Sequence, residues 1–232
     1  MGEMGLRQAY STIKNAYRKV GRNPVTTASD LKLVMPLSSS KTTYSFPILV
    51  GDDPSNFYPG VSILLNRADA FTATEMGLFI GKPSAAANAA NSSQFDWYSY
   101  ANNSTFSTGK TALKTLFNNS YINITINNVQ YLQNFSTLRL RRATISQESQ
   151  GFGTFASAPS SGYPAISSTL QDSFNGEADG YYPLVPTLQL SGTSKIDCQL
   201  VLAESLTAVD TNSCVMLGFR GFLSLGASNL NK

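Results

Sequence analysis

Any chemistry performed by this chain is performed without histidine. Histidine is the commonest general base near neutral pH and a frequent metal ligand. Its absence excludes Ser-His-Asp and Cys-His nucleophilic sites and zinc sites of the Cys/His kind. The nearest approach to a phosphate-cradling loop is Thr108-Gly109-Lys110-Thr111. It has the Gly-Lys-Thr ending, but the first glycine of the full pattern belongs at position 104, where the chain has Ser104, so the pattern fails. Two carboxylate pairs remain, Asp52 with Asp53 and Glu177 with Asp179. A glycosidase holds its two carboxyl groups about 5 to 9.5 Å apart across a substrate, one of them in a desolvating pocket. Neighbouring acids in polar turn sequence are solvated turn residues instead. The alternating oxygen ligands and closing glutamate of a calcium-binding loop are also missing. No catalytic residue, cofactor site or metal site is expected.

Cys198 and Cys214 complete the reactive side chains. If the strands that carry them pair antiparallel across the 203–213 connection, Cys198 falls opposite a residue near 219. That is too far from Cys214 for a bridge, which needs Cα atoms within about 7 Å. Two free, buried thiols are expected, compatible with a reducing cytoplasm. The Asn-x-Ser/Thr triplets at Asn91, Asn102, Asn103, Asn118, Asn123 and Asn134 are what an Asn- and Ser-rich chain produces by chance. Residues 1–20 lack the continuous apolar run of a secretory leader, and no stretch has the apolar length of a membrane span.

The elements that must position any site are clearest at the C-terminus, where three segments alternate with period two. Leu184, Pro186, Leu188 and Leu190 fall on one side of an extended chain; Ile196, Cys198, Leu200 and Leu202 do so in the next segment; Val215, Leu217, Phe219, Leu223 and Leu225 do so in the last. Successive side chains of a strand point to opposite faces, so each segment predicts a strand with one face on a core. The Ser191-Gly192-Thr193-Ser194 linker suits a hairpin between the first two. Upstream, strands are expected at 31–34, 44–50, 60–66 and 75–81. Residues 121–135 are β-rich, with Ile122, Ile124 and Ile126 facing inward and Asn127-Asn128 marking a turn or bulge. Residues 137–146 alternate again, with Leu138 and Leu140 inward and Arg139 and Arg141 outward on an edge strand protected by charge. A short helix is expected at 110–117. The aromatic run 95–100 is either core or an exposed contact patch. Successive strands without long interleaved helices predict an antiparallel sandwich or barrel.

Charge is scarce, 13% of residues, and unevenly placed. Arg7, Lys14, Arg18, Lys19 and Arg22 face one acid, Glu3, in the first 22 residues, five cations less one carboxylate or about +4. Over 4–20, Leu6, Tyr10, Ile13, Tyr17 and Val20 recur at helical spacing with Arg7, Lys14 and Arg18 on a neighbouring stripe. Gly21 and Asn23-Pro24 end the element. The helix is either a basic arm lying on nucleic acid or an anionic membrane, or a helix docked on the sheet with a solvated basic edge. Low charge elsewhere, with many small polar residues, describes surfaces that meet other protein surfaces.

A basic N-terminal arm, a β domain with strands at 44–50, 60–66, 75–81, 121–146 and 184–225, a Gly/Ser-rich loop at 150–180, and a terminal strand centred on Gly-Phe-Arg-Gly-Phe together resemble the jelly-roll capsid proteins of icosahedral viruses, tailless bacteriophages in particular. The resemblance implies an all-β antiparallel sandwich of single jelly-roll type. An amphipathic helical arm would occupy 1–30, and the β domain 31–232 would carry long loops at 84–100 and 150–180. It implies self-assembly into a shell in the host cytoplasm, with copies of the chain and other virion proteins as partners. Arg7, Lys14, Arg18, Lys19 and Arg22 would then face genomic nucleic acid or an internal membrane. The alternative is a carbohydrate- or host-binding sandwich, such as a fibre, adhesin or lectin-like module. Its stacking platforms would be Trp97, Tyr98, Tyr100, Tyr181 and Tyr182.

Overall fold

Most of the alternating segments supply a strand with one core face, and the strands form two antiparallel sheets packed face to face, an all-β sandwich. The computed structural model describes residues 3–19, 21, 23–52, 62–83, 95–100, 110–141, 180–210 and 212–228. In chain order the strands are β1 (Thr26–Pro36), β2 (Thr43–Ser45), β3 (Ala70–Pro83), β4 (Phe95–Tyr98), β5 (Ser120–Ile126), β6 (Val129–Ser136), β7 (Tyr181–Ser191), β8 (Ile196–Leu202) and β9 (Cys214–Ser224). Helix α1 (Glu3–Lys19) precedes them and α2 (Lys110–Asn118) lies between β4 and β5.

The pairing is nested. β1 pairs with β9, β2 with β8, β3 with β7 and β5 with β6, and successive pairs fall alternately in the first and second sheet. The first sheet runs β1-β9-β3, with β7 and β4 sharing the far side of β3; the second runs β2-β8-β5-β6. This wiring corrects the expected hairpin at 191–194. β7 and β8 lie in different sheets, because a strand with one apolar face is satisfied as well by facing its neighbour across the core as by lying beside it. The turn is held from outside: Gly192 donates to the Asp69 carbonyl at 2.9 Å, and a side chain at Gly192 would strike the Arg67 carbonyl. The cysteines are free as expected, but for another reason. Cys198 is in β8 of one sheet and Cys214 in β9 of the other.

The core takes Leu31, Leu33 and Met35 from β1, Leu78 and Ile80 from β3, Ile122, Ile124 and Ile126 from β5, Cys198, Leu200 and Leu202 from β8, and Val215, Leu217 and Phe219 from β9. β3 reaches this core from both ends by changing phase at Thr74. Phe71 and Ala73 point inward before it, Met76, Leu78 and Ile80 after it. One extra residue opposite a regular partner is a β-bulge, and it reverses which alternate positions face inward. The Thr74 hydroxyl donates to the Arg220 carbonyl at 3.1 Å. Across from the bulge, any side chain at Gly221 would run into the Thr72 carbonyl.

Several expectations change. Of the 44–50 segment only Tyr44 and Ser45 are strand, although Phe46, Ile48 and Leu49 are buried; of the 60–66 segment the described residues contribute isolated bridges at Ile63 and Leu65. Asn127 and Asn128, at φ 50° and 65°, make the expected tight turn between β5 and β6. Pro186 is exposed because β7 bulges away from β3 between Pro183 and Leu188. Leu225 is 47% exposed, since β9 ends at Ser224 and turns at Gly226. The expected strand at 137–146 begins instead as a 3-10 turn, Thr137–Leu140, which buries Leu140 and leaves Leu138 54% exposed. Its cause is polar. Ser136 accepts from the Leu138 amide, and the buried Thr137 hydroxyl sits 2.9 to 3.0 Å from the carbonyls of Leu116 and Phe117 in the last turn of α2 and of Ser120 at the start of β5. The loop expected at 84–100 ends instead in strand β4, Phe95–Tyr98; residues 84–94 and 142–179, with nearly all of the loop expected at 150–180, lie outside the described residues.

The Thr137 hydroxyl is the donor on which those buried carbonyls converge. Thr137→Val is therefore expected to destabilise the chain by about 1 to 3 kcal/mol in denaturant unfolding, the cost of stranding buried acceptors, while Thr137→Ser keeps most of the stability. Equal stability of the two variants would contradict this role.

Candidate functional site

The outer face of the β1-β9-β3 sheet is not left to solvent. One half is covered by aromatic rings. Val34, Phe79, Cys214 and Met216 form its floor and Phe95, Trp97 and Tyr181 join them in one buried cluster. Trp97 stacks on Phe95 at 5.4 Å and lies where a side chain at Gly81 would be; Tyr181 lies where one at Gly218 would be. Missing side chains in mid-strand thus give the rings their seats. The other half is covered by α1, whose Ile13 and Tyr17 pack with Ala70, Ala227 and Phe222 in a small separate cluster. Tyr10 meets Phe222 at 5.6 Å. Tyr17 is 2% exposed, and its hydroxyl has no hydrogen-bond partner among the described residues.

Beside the helix is a cavity of about 660 Å³, lined by Arg7 and Tyr10 of α1, Asp30 of β1, Glu75 of β3, and Arg220 and Phe222 of β9. Arg220 is the register partner of Asp30 on one side and of Glu75 on the other, so charge alternates across three strands. Its guanidinium also stands 3.8 Å above the Tyr181 ring, a cation–π contact that fixes it in the row. Cross-strand opposite charges of this kind stabilise a sheet face.

Four of the five expected basic residues are on this helix. Arg7, Arg18 and Lys19 are exposed, and Lys14 is half-buried with its ammonium 5.9 Å from the centre of the Tyr10 ring. At about 100° per residue, Arg7, Lys14 and Arg18 share a stripe next to the buried one and Lys19 stands apart. Arg22 lies outside the described residues. The five aromatics expected as stacking platforms are placed differently. Trp97, Tyr98 and Tyr181 are buried; Tyr100 and Tyr182 are half-buried, edge-on to Tyr98 and Phe135. Exposed apolar side chains on this margin are others: Val129 and Tyr131 on β6, Leu138, and Val185 in the bulge of β7, 86% exposed. Tyr131 and Val185 line a cleft of about 220 Å³ between the edges of the two sheets, with Arg139 beside them. A sequence signal existed in β6, which has no charged residue and no continuous alternation, but period-two reading does not separate such an edge from a buried strand.

Of the carboxylates, Asp52 bonds Arg67 at 2.8 Å on the surface; Asp53, Glu177 and Asp179 lie outside the described residues. Among the described residues no three Cys, Asp or Glu side chains gather as metal ligands, and no helix is long and apolar enough to cross a membrane. Neither cysteine is poised as a nucleophile. Burial pushes both thiols well above their ordinary range, and the neighbouring Asp197 carboxylate adds to the effect at Cys198. No protein-family model and no curated protein matches the chain.

Raised thiol pKa values have a definite sign. The folded chain keeps both protons where the unfolded chain, with thiols near pKa 8.5, loses them, so this contribution to stability is complete below about pH 8.5 and is lost as pH rises above it. Accordingly neither thiol should react with a soluble disulfide reagent at pH 8 until the protein is unfolded, and unfolding should become easier above pH 9. Fast labelling of the native chain would contradict both statements.

Proposed function

We propose that this chain is a single jelly roll and a capsid protein that assembles with its copies into an icosahedral shell, a virion component made in the host cytoplasm. The observation that carries the proposal is the nested pairing of strands, alternating between sheets from β1 with β9 down to β5 with β6. An antiparallel ribbon rolled up in this way is the wiring of a jelly roll, a fold shared by capsid proteins and some lectins. Fold alone does not choose between them; the surfaces favour the shell. The rings that would stack on sugars are buried or half-buried. Exposed instead are uncharged apolar groups, Val129, Tyr131, Leu138 and Val185, at the open side of the sandwich. Exposed apolar groups of that kind suit contact with other protein surfaces.

The basic stripe of α1 favours a polyanion over a lipid surface. Interfacial helices bury an apolar face in the acyl boundary, whereas the apolar stripe of α1 is already occupied by Ala70, Phe222 and Ala227. What is left for a partner is charge, at Arg18 and Lys19, and charge alone suffices for a salt-dependent contact with phosphates. Genomic nucleic acid inside the shell is the partner of that chemistry.

Purified full-length chain should form closed particles of uniform size, seen by negative-stain microscopy and sized by light scattering. Particles of an Arg18→Gln, Lys19→Gln variant should be the same size and hold less nucleic acid. A chain that stays solitary at every concentration and salt tested would contradict the proposal.

A further inference from the structure

We propose that α1 is a releasable strap, docked on the subunit as described here and drawn off it by a polyanion. The second half of this statement rests on the polyanion contact proposed above; the first stands on packing. Ile13 and Tyr17 do not enter the main core but meet only a small cluster at the end of the sheet, Ala70, Ala227 and part of Phe222. Docking also buries the Tyr17 hydroxyl with no partner among the described residues, although in the released helix water would satisfy it. A buried polar group left unpaired forfeits about 1 to 3 kcal/mol. Part of what the apolar contact contributes is therefore cancelled by one atom, and the docked state lies closer to its released state than the apolar contact alone would place it.

The same helix carries the groups that bias the balance. When docked, Lys14 is half-buried over Tyr10 and Arg7 lines the cavity beside Glu75 and Asp30. Only a released helix offers Arg7, Lys14 and Arg18 together, on one stripe, to a row of phosphates. A ligand shifts a two-state equilibrium by its differential affinity for the two states, and here the released state is the better ligand for a polyanion. Release would also uncover Phe222 and Ala227 beneath the helix, so one event would present both the basic stripe and an apolar patch.

Thiol labelling of the full chain reads this directly. Ala227, 1% exposed beneath α1, is replaced in Ala227→Cys, and native Cys214, fully buried away from the helix, reports global unfolding. Ala70→Cys is a second reporter should the first perturb docking. At low salt the reporter thiol should label much faster than Cys214. Tyr17→Phe should slow the reporter by about 5- to 150-fold, the stated cost converted at 1.4 kcal/mol per tenfold, and still leave it well ahead of Cys214, whose labelling through global unfolding slows by no more than the same factor. A single-stranded oligonucleotide should speed the reporter. If the reporter labels no faster than Cys214, or Tyr17→Phe leaves the reporter unchanged, the strap is overturned. If the oligonucleotide has no effect on a reporter that Tyr17→Phe does slow, polyanion release is overturned while the strap stands. None of these outcomes requires particles to form, so failure of assembly is read separately.

Discussion

The pairing of β3 with β9 is the constraint from which the rest of the molecule follows. These two strands run side by side through the middle of the first sheet, in register from Ala70 with Ser224 to Gly81 with Cys214 apart from the single step at Thr74. Both of their faces are buried over much of this length. Inward go Met76, Leu78, Ile80, Val215, Leu217 and Phe219; outward go Phe79, Cys214 and Met216. Strands buried on two faces need a cover on each. The second sheet supplies one, and rings and a helix supply the other. At roughly 1.5 to 3 kcal/mol for each large apolar side chain removed from water, this pair concentrates the favourable energy of the fold in a few adjacent residues.

The bulge at Thr74 makes the double burial possible. Without it, the inward phase of 71 and 73 would carry on and turn Glu75 toward the core and Met76 and Leu78 toward the outside. With it, Glu75 emerges on the outer face beside Arg220, where the row with Asp30 completes a charged floor next to α1. The helix, the charged row and the ring cluster therefore lie on one face as consequences of one inserted residue. The opposite margin of the sandwich, where β6 and β7 end the sheets, has no such cover among the described residues, and Val129, Tyr131 and Val185 are exposed there.

What the sequence made legible was the inner face. Alternation identified Ile122, Ile124, Ile126, Cys198, Leu200, Leu202, Val215, Leu217 and Phe219 as core, and all of them are. Each of these strands has a run of several residues in constant phase, which is the condition under which period two is informative. The outer face was hidden because Cys214, Met216 and Phe79 fall on positions that alternation assigns to solvent. The crossing from β7 to β8 was hidden because a local pattern records only that a face is apolar, not which sheet it faces. The 3-10 turn at 137–140 imitates alternation, since Leu138 and Leu140 are two apart; long-range bonds from Thr137 to α2 and the start of β5 decide its shape. In the candidate site, the basic and apolar stripes of α1 were both readable from helical spacing. The surface they rest on was not, because Ala70, Phe222 and Ala227 come together only in three dimensions.

Native-state hydrogen exchange tests the central claim most directly. If the β3–β9 pair is the last structure to open, the amides of 76–80 and 215–219 exchange slowest of all. Their free energy of exchange then equals that of global unfolding in denaturant, and amides of β6 and α1 exchange far earlier. Should β5 and β8 outlast them, so that the second sheet persists after β3 and β9 have exchanged, the β3–β9 pair is not the element on which the fold depends.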